Sequence, residues 1–271
     1  MKTLTGAICA VSLTFALAAC AGADEAATEE TASTGTLAGT WVGQVDSVQD
    51  DQVRNYVIAD GTYTCNHCEP AYSIPASGEF ETVDRPGADG VKVTVVDDTT
   101  VELTVRNEGE ELSSSTWTVS EDGSTMTVVG TDMTVETATS STATYTRAAA
   151  GPDGSHAASG EWKFAGFSDV EEAARTFTFT IDGDQLTQIA NGDRSMTMTI
   201  GGDPVTPEWS TTGAATAVEK VSDTVYLFTT TMDGEVVGTT EMTVEGDTLT
   251  GKGTDPRSGS TSTWMAKRKT A

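Results

Sequence analysis

The sequence predicts an all-β protein built from two tandem antiparallel β-barrel-like domains. Three observations predict it. First, a cassette occurs twice. Asp98-Thr99-Thr100-Val101-Glu102-Leu103 leads through Glu108-Gly109 and Trp117-Thr118-Val119 to Thr125-Met126-Thr127 and Gly130-Thr131-Asp132. Ser222-Asp223-Thr224-Val225-Tyr226-Leu227 leads through Asp233-Gly234 and Met242-Thr243-Val244 to Thr248-Leu249-Thr250 and Gly253-Thr254-Asp255. Self-similarity on this scale marks a duplicated unit. Second, apolar residues alternate at Val91, Val93, Val95 and at Val101, Leu103, Val105, the period of half-buried strands. Third, Asp60-Gly61, Asp122-Gly123, Asp182-Gly183 and Asp233-Gly234 punctuate the runs as hairpin turns do. Two small sandwiches or strongly curved open sheets are the alternative arrangement.

Residues 1–19 read as a signal peptide: Lys2 supplies the positive start, and the apolar run at 7–19 is too short to span a membrane. Leu17-Ala18-Ala19-Cys20 resembles the lipobox of bacterial lipoproteins. That resemblance implies cleavage before Cys20, lipidation of Cys20, and attachment to the cell envelope by two or more acyl chains, enough for stable anchoring. Ala21, in place of Asp, implies delivery to the outer membrane. Residues 20–37 hold small and polar side chains with almost nothing large, which predicts a disordered tether.

Residues 38–148 form the first expected domain, opening at Gly39-Thr40-Trp41 and closing on a strand at 142–147. Within it, Pro70 makes 63–74 an irregular or edge segment, because proline cannot donate to a ladder. Gly151-Pro152-Asp153-Gly154 marks 149–159 as the interdomain linker. Residues 160–267 form the second domain, opening at Gly160-Glu161-Trp162. A short helical turn is expected at 168–174, where Ser168 can cap and acidic residues follow. Residues 268–271 read as a solvated basic tail.

The Gly-x-Trp openings, with a basic residue after each last strand (Arg147, Lys267), resemble the lipocalin-like (calycin) barrels. The openings together with the repeated cassette also resemble bacterial secreted proteins carrying one or two such units. The resemblance implies that each opening tryptophan packs across a barrel end with a late basic residue laid against it. Trp41 is then expected to be a core plug paired with Arg147, and Trp162 its counterpart in the second domain.

The chain carries 41 acidic and 15 basic residues, a net charge of −26. Phosphate backbones need a positive footprint, so nucleic acid is excluded as a partner. Cys9 leaves with the signal, and Cys65 and Cys68 remain as Cys65-Asn66-His67-Cys68. In an oxidising envelope this pair most simply forms a local disulfide. A redox pair or a metal site that includes His67 are the alternatives, opposed by the adjoining Glu69 and by the lack of a fourth ligand. The Asp-Gly pairs lack the spacing of a calcium loop. No nucleophile elbow, zinc-protease motif or phosphate loop is present, so no enzyme activity and no cofactor are expected. The expected function is a non-catalytic binding module for a small amphipathic or apolar ligand, with Phe177, Phe179, Met196 and Met198 as candidate lining. The alternative is a structural or protein-interaction lipoprotein of the envelope.

Overall fold

A computed structural model describes residues 35–135, 138–190 and 194–270. The expected signal peptide, Cys20 and the expected tether as far as residue 34 lie outside the described residues; Leu37, expected at the end of that tether, is instead fully buried beside Trp41 in the second core. The strands of the first half are β1 (Gly39–Gly43), β2 (Gln49–Asp50), β3 (Val53–Ala59), β4 (Thr62–Cys65), β5 (Tyr72–Pro75), β6 (Ser77–Arg85), β7 (Ala88–Val95), β8 (Thr100–Asn107), β9 (Glu110–Val119), β10 (Thr125–Asp132) and β11 (Thr139–Ala150). Those of the second half are β12 (Gly160–Ser168), β13 (Thr176–Asp182), β14 (Gln185–Ala190), β15 (Arg194–Thr199), β16 (Ala215–Lys220), β17 (Val225–Met232), β18 (Glu235–Glu245), β19 (Thr248–Thr254) and β20 (Thr261–Arg268). The expected helical turn is a single 3-10 turn at Ala173–Arg175.

The all-β expectation holds, and the strands form two nearly closed antiparallel barrels. The first has the order β5-β4-β3-β12-β11-β10-β9-β8-β7-β6, and the second β15-β14-β13-β1-β20-β19-β18-β17-β16, with β2 also on β20. The first is open along the seam between β5 and β6. In the second, the seam between β15 and β16 is spanned by isolated bridges at Ile200–Val218 and Val205–Thr216.

These orders contain an exchange that the sequence reading did not foresee. Opening strand β1 belongs to the second barrel, between β13 and β20. Opening strand β12 belongs to the first, between β11 and β3. The first barrel is therefore the continuous stretch 53–168, inserted between β2 and the remainder of the second. The chain crosses between barrels at 51–52 and again at 169–172.

Two expectations are corrected by this topology. Residues 149–159 are not an interdomain linker but the β11–β12 connection within one barrel, with Ala158 fully buried and His156 N bonded to Ile58 O at 2.9 Å. Nor does Trp41 pair with Arg147. Trp41 faces Arg268 across β1 and β20, and its ring lies 4.1 Å from the guanidinium carbon. Arg147 faces Trp162 across β11 and β12 at 4.0 Å. Arg268, not Lys267, is the equivalent of Arg147.

The two plugs repeat in detail. Both tryptophans are fully buried. Trp41 Nε1 donates to Leu37 O and Trp162 Nε1 to Ala158 O, each at 2.9 Å. Arg268 donates to the carbonyls of Ala38 (2.6 Å) and Thr36 (2.8 Å), and Arg147 to those of Ser159 (2.7 Å) and Ala157 (2.6 Å). The glycine of each Gly-x-Trp has a physical reason. Gly39 and Gly160 lie at φ +127° and +124°, and a Cβ on Gly39 would meet Arg268 Nη1 at 2.4 Å.

The cassettes fold alike, one residue out of the letter-by-letter alignment. Val119 N bonds to Thr99 O (2.9 Å) and Val244 N to Thr224 O (2.8 Å), so Val101 corresponds to Tyr226 and Leu103 to Phe228. A one-residue slip in a strand exchanges its two faces, and Tyr226 and Phe228 are the buried pair. The turns Glu108-Gly109 and Asp233-Gly234 both place two successive residues at positive φ, as two-residue hairpins require. Trp117, Tyr56 and Tyr63 pack together in the first core. Phe177 packs on Trp264 and Phe179 on Phe228 in the second.

The exchange yields a test. Trp41→Ala is expected to cost about 3–5 kcal/mol in thermal or denaturant unfolding. In hydrogen exchange the lost protection should fall on 176–268 and spare 53–150. Loss confined to 53–150 would contradict the exchanged topology.

Candidate functional site

The disulfide and the aromatic wall of the first barrel converge on one place. Cys65 closes β4 and is fully buried, and it is joined to Cys68 with Cα atoms 5.4 Å apart. The three-residue separation forms a tight loop whose His67 folds back over the barrel mouth. The His67 ring meets Tyr56 edge-on at 4.7 Å, and Asn55 N lies 3.2 Å from His67 Nδ1. A metal reading of Cys65, His67 and Cys68 needs free thiolates, which the disulfide consumes.

Beside this loop, Arg54 on β3 donates to Tyr145 Oη at 2.6 Å and lies 3.4 Å from Asp50. Arg85, the last residue of β6, stands at the open seam with its guanidinium carbon 4.8 Å from the ring of Tyr72 on β5. Burial first, then the charges of Arg54 and Arg85, lower the pKa of His67 to about 4 against a raising bond to the Asn55 backbone. Burial raises the Tyr56, Tyr63 and Tyr145 hydroxyls, so all three are neutral phenols.

These side chains form one wall of a cleft of about 1460 Å³. The serine-rich part of β9, with Val128, Ala143 and Phe167, continues the first barrel's side. The second barrel supplies the facing side through Arg194, the 209–212 loop and the 255–260 loop. Two contacts span the gap. Arg257 pairs with Asp255 (2.8 Å) on its own loop and with Glu69 (3.2 Å) on the disulfide loop. Arg194 donates to Thr134 O at 3.0 Å while its guanidinium lies 5.2 Å from the Trp209 ring. Burial works against the charge of Asp255, but the bonds from Arg257 outweigh it and hold its pKa below the ordinary value.

Comparison with protein-family models, with curated proteins and with solved structures finds no match to this chain. The chemistry of the cleft is therefore read from its own side chains.

The residues expected from sequence divide in two. Cys65 and Cys68 come together at the edge of the cleft, and Cys68 lines it. Phe177, Phe179 and Met198 are buried in the second core, and Met196 packs against that core. None of the four lines the cleft. They alternate toward a barrel interior, but that interior is filled by Trp264, Phe228 and their neighbours. Arg54, Arg85, Arg194 and Trp209 are cleft residues that sequence reasoning missed, and His67 was singled out only as a candidate metal ligand. The available signal was charge scarcity: four of the eight arginines in an acidic chain, Arg54, Arg85, Arg194 and Arg257, line this one cleft.

Two outcomes follow. Iodoacetamide should label Cys65 and Cys68 only after reduction, read by peptide mass; labelling without reductant would remove the disulfide. His67 titrates near 4 folded and near 6.5 unfolded, so the unfolded chain binds the extra proton between those values. Stability should be fully present above about pH 6.5 and fall toward pH 4 by up to about 3 kcal/mol. Melts of His67→Gln across this window should lack that component.

Proposed function

We propose that the chain is a lipid-anchored, non-catalytic binding module of the bacterial cell envelope, built on lipocalin-like barrels and tethered through Cys20 to the outer membrane. Its ligand is a small amphipathic molecule held in the cleft at the mouth of the first barrel. The observation that carries this reading is where space occurs. Each barrel buries its opening tryptophan, and both cores are filled with aromatic and aliphatic side chains. The open volume lies between barrels, with apolar faces from Phe167, Val128 and Trp209 beside rows of hydroxyl and charged groups. A mixed lining with a few fixed polar groups suits a ligand that has one oily and one polar end.

Trp209 is 45% exposed, large for an indole with no structural role in a core, and it stands on the cleft wall under Arg194. An exposed aromatic at a cleft supplies contact area at little entropic cost. The expected result is saturable binding of the neutral amphiphile N-phenyl-1-naphthylamine, read by its fluorescence. Trp209→Ala should weaken it about tenfold, the loss of roughly 1.4 kcal/mol of aromatic contact. Absence of saturable binding in the wild-type protein would refute the reading.

A further inference from the structure

The four cleft arginines differ in what satisfies them. Arg257 is held by Asp255 and Glu69, Arg54 by Tyr145 and Asp50, and Arg194 by Thr134 O. Arg85 has neither a carboxylate nor a carbonyl partner among the described residues. Its partner is the neutral Tyr72, which it meets through both ring and hydroxyl, and its Nε is out of contact with water and without an acceptor. Buried Nε atoms without acceptors also occur on Arg54, Arg106, Arg175 and Arg268, so that feature alone selects nothing. Arg194, likewise half-buried and without an anion, has a backbone carbonyl; Arg85 is distinguished by having neither carboxylate nor carbonyl on a half-buried guanidinium that lines an open volume.

Arg54, Arg85 and the neutral His67 line the same cleft. The lining also carries Asp51, Glu69, Glu110, Glu111, Asp132 and Asp255; of these, Glu69 and Asp255 pair with Arg257, and among the described residues none forms an ion pair with Arg85. In a chain of net charge −26, a half-buried guanidinium whose one partner is a neutral phenol has a desolvation cost that an incoming anion would offset. A planar guanidinium also offers paired donors matched to carboxylate, sulfonate or phosphate oxygens.

We propose that the ligand of this cleft is an amphipathic anion whose charged head is received by Arg85 and whose apolar part lies between Tyr56 and Phe167 on one wall of the cleft and Trp209 on the other. This rests on the binding reading above and deepens it to a ligand class. The test compares two probes of similar apolar bulk, anionic 8-anilinonaphthalene-1-sulfonate and neutral N-phenyl-1-naphthylamine. Wild-type protein should bind the sulfonate at least tenfold more tightly. Arg85→Gln should lose that tenfold while leaving the neutral probe within twofold, and Arg85→Lys should restore part of it. Circular dichroism melts establish that both variants fold. Equal affinity of wild type for the two probes would overturn the anion assignment and leave the cleft reading intact. A sulfonate preference that survives in Arg85→Gln would also overturn it, as would equal loss of both probes in a folded Arg85→Gln. Failure of the wild type to bind either probe would overturn the cleft reading and this inference together.

Discussion

Two buried indoles, each capped by a guanidinium from the strand beside it, hold this molecule's barrels shut. Each cap does three things at once. It lays a cation on the ring face, worth about 0.5–2 kcal/mol. It also satisfies backbone carbonyls in the segment entering the strand, at Thr36 and Ala38 in one case and Ala157 and Ser159 in the other. And it fixes register, because Trp41 and Arg268, like Trp162 and Arg147, are direct cross-strand partners. The close approach of arginine to backbone is possible only because Gly39 and Gly160 have no side chain there.

Because each plug comes from the strand that opens the other repeat, neither repeat is a self-contained body. The second barrel cannot be completed without residues from before position 51, and the first takes its closing strand from after position 159. The chain therefore passes twice between barrels. The 209–212 and 255–260 loops of one are held at the mouth of the other, with Arg257–Glu69 and Arg194–Thr134 fixing the spacing. The cleft is thus a product of the exchange. Neither barrel alone would present Arg85 and Trp209 to the same volume.

Much of the fold was legible in the sequence because it is written locally. Alternation at Val91, Val93, Val101 and Leu103 reports strands, Asp-Gly pairs report hairpins, and Gly-x-Trp reports a plug with its backbone requirement. The exchange was not legible. The repeats are alike, so β1 carries the same signature as β12, and nothing local says which closing strand it will join. The cassette alignment failed by one residue for a related reason: Val225-Tyr226-Leu227-Phe228 is apolar at every position, so periodicity cannot choose its inward face. The cleft was legible only in part. Cys65 and Cys68 announce their own pairing through a three-residue separation, whereas Arg54, Arg85, Arg194 and Trp209 are scattered over 156 positions and meet only through tertiary structure. Phe177 and Phe179 look the same in sequence whether a barrel is hollow or filled.

The placement of β1 has a mechanical side. It is the first strand among the described residues, yet it is not at a sheet margin; β13 flanks it on one side and β20 on the other. Tension applied from the N-terminal direction acts along its length. Two ladders of hydrogen bonds then share the load in shear, instead of peeling open one at a time. Trp41, wedged beneath Arg268, must be dragged out before the strand can slide.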